Sequence, residues 1–277
     1  MDLIDVARLE EKRIARAVRE LADEVRDVGG GVAGRGEPGL WVNMAVGVGV
    51  GGEVRREELE GVTRWYEERG IEARFEVCPY ADPSVMEGLG AMGFVVRGFE
   101  SVMFREVGGG VGEQADAAGK GDVREFEVLV VDPGDAGMVR AYAEAVAPQF
   151  VPRGEEVTEG LLELTARSIR HPRVVALAAW AEGRVVGGGA LEIYDATAAL
   201  FGLAVAPRWR RRGVQTALMR ERLRIARERG ARIATIGFRP GAEASGTERN
   251  ARRVGFEVAY TKVIVARPGE GLRGVVG

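Results

Sequence analysis

Residues 203–219, LAVAPRWRRRGVQTALM, decide how the rest of the chain is read. A small apolar run ending at Val205 gives way to a short turn with arginine at 208, 210, 211 and 212. Gly213 then stands where Ala217, Leu218, Leu223, Ile225 and Ala226 begin to recur at helical spacing. Strand, glycine turn and helix in that order leave several N–H groups at the helix start without partners, and the helix dipole adds about half a positive charge there. The spacing predicts an anion site, with pyrophosphate the natural ligand. Gly213 admits a phosphate close to the backbone, and arginines add charge-assisted bonds from the rim. Taken alone, the arginine run is also what a solvated basic surface looks like.

Outward from this stretch, strands are expected at 123–131, 196–205, 232–238 and 256–265, with a hairpin of 174–181 and 184–194 turning at Glu182-Gly183. Helices are expected at 134–147, 158–169, 215–228 and 243–254. Upstream, apolar residues from Leu3 to Val25 recur among charges at helical spacing, predicting one helix over 2–27 that ends near Gly29. A strand over 41–50, a helix over 55–69, a strand over 72–78, a helix over 82–92 and two strands across 94–106 follow. The final eleven residues, 267–277, read as a frayed tail.

The two halves repeat one string: strand, turn, helix, strand, helix, then Gly-Phe and a strand, with Gly93-Phe94 and Gly255-Phe256 as counterparts. Residues 108–122, GGGVGEQADAAGKGD, hold six glycines and almost no large apolar side chain, which is linker composition. Domains are therefore expected at 1–107 and 123–277.

Composition sets the remaining bounds. The 277 residues are 46% hydrophobic and 29% charged, enough to bury two cores and too apolar for wholesale disorder. No stretch of about 18 uncharged apolar residues exists and the N-terminus is charged throughout, so no membrane contact and a cytoplasmic location are expected. Net charge is −3, without the basic excess of a nucleic-acid binder. One histidine, His171, and one cysteine, Cys78, build neither a disulfide nor a soft-ligand metal cluster, and no metal is expected. His171, followed by Pro172 at a helix end, reads as a loop residue, and Cys78 as a small buried hydrophobe. The chain lacks a Gly-x-x-x-x-Gly-Lys-Ser/Thr string for a nucleotide.

The string 203–219 resembles the acyl-CoA signature of the GNAT superfamily of N-acyltransferases. Its loop runs Gln or Arg, two residues, Gly, one residue, then Gly or Ala; Arg210, Gly213 and Gln215 stand at the three places. Gln215 departs from the pattern, putting a side chain where the family keeps a small residue and narrowing the approach to the phosphate. Residues 245–262, SGTERNARRVGFEVAYTK, are similar to the segment in which these enzymes place an Asn beside the cofactor and a Tyr beside the thiol, which singles out Asn250 and Tyr260.

The resemblance implies an α/β (α+β) fold of two GNAT-like domains, each a mixed, mostly antiparallel sheet flanked by helices. It implies acetyl-CoA as acyl donor, held by Leu203, Ala204, Val205, Arg210, Arg211, Arg212, Gly213, Val214, Gln215, Thr216 and Asn250. The pantetheine arm adds along the free edge of a strand that splays from its neighbour. A primary amine then attacks the thioester directly, with Tyr260 as the acid for the leaving thiolate and Glu192 the residue placed to act as base. The first half resembles a degenerate repeat: after Val50 it reads GGEVRREELEG, with Glu53 where the anion would sit. As a built-in partner for the second half, it predicts a monomer. A different class stays open, a non-catalytic acyl-CoA-sensing or protein-interaction module, and the acceptor amine is not identified by any motif.

Overall fold

The computed structural model describes residues 1–107, 125–151, 154–241 and 246–269. The linker expected at 108–122, the start of the strand expected at 123 and the start of the helix expected at 243 lie outside the described residues. The chain forms two compact units. The first holds Met1–Val102, Arg239–Gly241 and 258–269; the second holds the described residues from Met103 to Phe238 together with 246–257.

In the first unit, α1 (Leu3–Leu21) starts at Asp2, whose carboxylate accepts the Ile4 N–H, and stops six residues before the expected end. Ala22 leaves the helix extended, and Glu24–Val28 becomes β1, which pairs antiparallel with β2 (Gly31–Arg35). Gly29 and Gly30 join them with φ of 50° and 76°, the two positive values that a tight hairpin turn matched to strand twist requires. The helical spacing through Val25 concealed this turn. The strand expected over 41–50 shrinks to β3 (Ala45–Val46), because Gly47 and Gly49 take positive φ. Just upstream, the Asn43 side chain closes a loop by accepting the Gly36 N–H and donating to the Glu37 carbonyl. Then follow α2 (Arg56–Glu67), β4 (Arg74–Val77) and α3 (Pro83–Ala91), capped by Asp82 with Pro83 in its first turn. β5 (Val95–Glu106) is one strand where two were expected, and its residues from Met103 on belong to the second unit.

The second unit contains β6 (Glu127–Val130), α4 (Ala136–Val146), α5 (Glu159–Arg170), β7 (Val174–Ala181), β8 (Arg184–Tyr194), β9 (Thr197–Val205), α6 (Val214–Glu228), β10 (Ile233–Phe238) and α7 (Gly246–Arg253). These follow the sequence expectation closely. The last strand, β11 (Glu257–Ala266), begins there and continues into the first unit.

Within each unit the strand pairing is mixed and mostly antiparallel. In the first, β1/β2, β2/β3 and β4/β11 are antiparallel and β3/β4 is parallel. In the second, β6/β7, β7/β8 and β8/β9 are antiparallel and β9/β10 is parallel. The units depart from the 1–107 and 123–277 division at the last strand of each half. β11 pairs with β4, Val263 opposite Val77, and the Val107 N–H beyond β5 bonds the Arg232 carbonyl at 2.7 Å.

Helices cover these sheets through apolar clusters. Val18 of α1 meets Val32, Met44 and Val46, whereas Leu59, Tyr66 and Leu89 of α2 and α3 meet Phe75 and Val265. In the second unit Leu218 and Leu223 of α6 pack with Leu191, Leu200 and Ile236, and Val139 and Tyr142 of α4 with Ala176, Ala190 and Ala204. No described helix is long and apolar enough to cross a membrane.

Candidate functional site

Two irregularities shape β9. Against β8, Gly188 faces Ala204 but Ala190 faces Phe201, so three steps on β9 match two on β8 and an extra residue is accommodated at Gly202-Leu203. Gly202 has φ 61°, a conformation costly for any residue with a Cβ. Against β10, the parallel ladder joins Thr197–Leu200 to Ile233–Ile236 and ends there, although β9 runs on to Val205 and β10 to Phe238. From Phe201 to Val205, then, one edge of β9 is open to an extended ligand.

The turn after β9 is anchored from below. Pro207–Trp209 forms a single 3₁₀ turn, and Trp209, 4% exposed, is set in the core with the Arg212 guanidinium 5.1 Å from its ring centre. Arg210 folds back, donating Nε to the Val205 carbonyl at 3.2 Å and Nη2 to Gln149 at 3.1 Å. Arg212 pairs with Glu125 at 2.6 Å, and Arg208 lies 3.9 Å from Glu182. Arg211, exposed at φ 62°, has no partner among the described residues.

Gly213, φ 80°, caps α6 without a side-chain hydrogen bond, and no acidic residue occupies the first turn. The first helical bond runs from the Ala217 N–H to the Gly213 carbonyl, so the amides of Val214, Gln215 and Thr216 precede any helical acceptor. Free N–H groups and the positive end of the helix dipole meet at this turn, two residues after the exposed Arg211, which is the chemistry that an anion calls for.

Gln215 does not cover that turn. Its Oε1 accepts from Asn250 Nδ2 at 2.6 Å, and its Nε2 lies 3.4 Å from Thr247 Oγ1, so the side chain is drawn aside toward α7. Gln215 and Asn250 are thus brought together, with Arg253 donating to Asn250 Oδ1 at 3.1 Å. Glu192, opposite Ala199 on β9, is 4% exposed and accepts from Arg173 at 3.1 and 3.3 Å. Acting as a base would require Arg173 to yield it. Arg173 was not singled out by sequence; it follows Pro172 in what reads as a loop.

Tyr260 belongs to the first unit. Its hydroxyl donates to Glu11 Oε1 at 2.8 Å, and Lys262 Nζ lies 3.5 Å from the same oxygen, 3.4 Å from Glu76 and 4.0 Å from Glu100. Burial, with Glu11 next, pushes the Tyr260 phenol far above its usual range. Burial also raises Glu11 in spite of Lys262. It opposes the charge on Glu76 too, but there Lys262 and Arg74 prevail and hold the carboxyl low. Burial, then Glu11, lifts the Cys78 thiol to about 11, which keeps it protonated and inert as a nucleophile. Lys262 was legible in principle: it shares the inward face of β11 with Tyr260 and Ile264 at period two, and a cation there requires buried anions. Glu11 carried no such signal, being one of many charges on an amphipathic helix.

Comparison with known proteins adds to this geometry. Residues 139–245, which include β7 to β10, α6 and the turn, match the sequence model of the Acetyltransferase (GNAT) family. A search of curated proteins finds no significant match. Among solved structures, a GCN5-related N-acetyltransferase from Kribbella flavida aligns with a TM-score of 0.66 and 19% identity over 95% of this chain and 97% of that one. A second, from Sphaerobacter thermophilus, gives 0.57 and 17% over 82% and 73%. A tandem GNAT protein from the clavulanic acid biosynthesis pathway gives 0.54 and 14% over 88% and 82%. At these identities the likeness is one of fold.

Proposed function

From the premise that this chain is a GNAT-family acetyltransferase, with its GNAT domain at residues 139–245, we propose that it transfers an acetyl group from acetyl-CoA to a primary amine by direct attack in a ternary complex. One observation carries the reading: the β9/β10 ladder ends at Leu200 and Ile236, opening an edge that leads into a carboxylate-free helix start at Gly213. The amides of Val214, Gln215 and Thr216, with Arg211, take the pyrophosphate. The open edge from Phe201 to Val205, which includes Leu203 and Ala204, takes the pantetheine amides, and Asn250 borders the site through Gln215.

In the reaction the amine nitrogen bonds to the thioester carbon, the C–S bond breaks, and the thiolate and the amine exchange protons with their surroundings. Backbone N–H groups at the bulge stabilise the charge that grows on the carbonyl oxygen. Glu192 enters as base only by leaving Arg173, and Tyr260 as acid only by leaving Glu11. Solvent supplies both roles without those rearrangements.

The test is calorimetric titration of acetyl-CoA into the wild type and into Gly213→Glu, which sets a carboxylate and a bulky side chain at a left-handed position. Micromolar binding lost in the variant is the expected result. A wild type that binds no acetyl-CoA overturns the reading.

A further inference from the structure

Arg222 of α6 is fully buried with no carboxylate against it among the described residues, an uncommon setting for an arginine. Its Nε donates to the Leu218 carbonyl one turn back at 3.2 Å. Its Nη1 lies 3.1 Å from the Ala190 carbonyl on β8 and 3.3 Å from the Phe201 carbonyl on β9. Its Nη2 is buried without a partner among the described residues. Ala190 and Phe201 are the pair at which the bulge begins, so the guanidinium grips the sheet where β9 departs from regular pairing.

The surroundings make room for it. A Cβ on Gly189 would lie 3.1 Å from Arg222 Cζ, and a Cβ on Gly188 would lie 2.5 Å from the Tyr142 ring, so successive glycines strip β8 of side chains beside the bulge. Burial works against this charge, lowering the guanidinium pKa to about 10. An apolar residue of similar volume would fill the space without that desolvation.

The bond to Phe201 reaches further than its oxygen. The Phe201–Gly202 peptide is trans, so its N–H points away from its carbonyl, and a cation on the carbonyl polarises the whole amide. We propose that Arg222 is a positioning residue for acyl transfer: it fixes the bulge and strengthens the Gly202 N–H as a donor to the thioester carbonyl. The inference rests on the acetyltransferase reading above.

The test titrates CoA and acetyl-CoA separately into wild type, Arg222→Met, Arg222→Lys and Gly189→Ala, and follows thiol release from acetyl-CoA with a panel of primary amines. In Arg222→Met, CoA affinity is expected to stay within about threefold because the pyrophosphate turn is untouched. If the Gly202 N–H holds the thioester carbonyl, the wild type should bind acetyl-CoA more tightly than CoA; that preference should vanish in Arg222→Met, and kcat should fall by about tenfold or more, a fraction of the loss seen when an oxyanion donor is deleted. Arg222→Lys, with a cation still under the bulge, should recover part of the rate. Gly189→Ala, whose Cβ would lie 3.1 Å from the guanidinium carbon and 3.2 Å from Leu203 Cδ1, should show the same loss of rate in a weaker form. An Arg222→Met protein that keeps kcat within about twofold overturns the role, as does a proportional loss of CoA affinity and rate, which marks a purely structural residue. Should Arg222→Met not fold, Gly189→Ala and Arg222→Lys decide by the same criteria. A wild type that binds neither CoA nor acetyl-CoA overturns the acetyltransferase reading itself, a separate outcome.

Discussion

Helices α2 and α6 occupy the same place in their units, each joining the two strands of that unit's parallel pair, β3 to β4 and β9 to β10. At α6 the preceding strand is nine residues long, leaves its partner after Leu200, and reaches a left-handed glycine with arginines around it. At α2 the preceding strand is two residues long, and Glu57 and Glu58 lie in the first turn. Glu58 accepts from Arg55 at 3.0 Å and from the Gly29 N–H at 3.2 Å, and those bonds hold it ionised below the usual carboxylate range. Val54 spends its amide on Ser84 Oγ at 2.9 Å. One backbone route thus yields a first helical turn without carboxylates in one unit and a first turn carrying the protein's own carboxylates in the other. The first unit instead concentrates its charge inside, around Lys262.

That interior charge gives the sharpest way to break the comparison. Lys262→Met leaves Glu11 and Glu76 buried without their shared cation, and unpairing a buried network of this kind costs about 3–5 kcal/mol of stability. Denaturant unfolding should show it as a lower midpoint, and a loss below about 1 kcal/mol would mean that water already reaches the cluster. The pH dependence follows from the two carboxyls. Glu76 is depressed, so its ionised form stabilises the fold above the ordinary carboxylate value, and that contribution is lost as the pH falls through the lower, folded-state value. Glu11 is raised and runs the other way, gaining on acidification. The stability difference between wild type and Glu76→Gln should therefore narrow as the pH drops from about 7 to about 3; a difference that widens would refute the assignment.

Next in size is the anion site. Arg211→Glu replaces the unpartnered cation beside Gly213 with a like charge for phosphate and should weaken acetyl-CoA binding by about ten- to thirtyfold. Glu58→Gln removes a carboxylate from the first turn of α2 and should leave that affinity unchanged. Equal effects of the two substitutions in the same titration would end the distinction between the units.

Much of this was legible in advance, for identifiable reasons. The turn at 206–213 declares itself through Pro207, the arginines and Gly213, all local signals, and the β7–β8 hairpin through Glu182-Gly183. What stayed hidden depends on partners far along the chain. β1 was absorbed into a helix because Val25 fits helical spacing, and only the Gly29-Gly30 conformation decides otherwise. The exchange of the last strands, β11 beside β4, leaves no trace in periodicity. Glu11 and Arg222 look like surface charges on amphipathic helices until packing buries them, and Tyr260, singled out by resemblance, acquires Glu11 as a partner 249 residues away.

Tyr260→Phe tests that last point with a smaller effect. Its hydroxyl is committed to Glu11, so the expected outcome is a loss of about 1–2 kcal/mol in stability with acetyl transfer to the amine panel within about threefold of wild type. A fall in kcat of a hundredfold, with the alkaline limb of the pH profile moved, would instead return Tyr260 to the role of acid.

The smallest expected effect concerns Gln215, where the chain departs from the family loop. A side chain standing over the phosphates would exclude them, and its removal would raise affinity by more than about tenfold. Bonded to Asn250 and near Thr247, Gln215 instead lies to the side, so Gln215→Ala should change the acetyl-CoA dissociation constant by less than about threefold, the scale of one solvent-accessible hydrogen bond. Asn250→Ala then discriminates further. If Asn250 only steadies Gln215, it should match Gln215→Ala, and the double variant should add nothing to either single change.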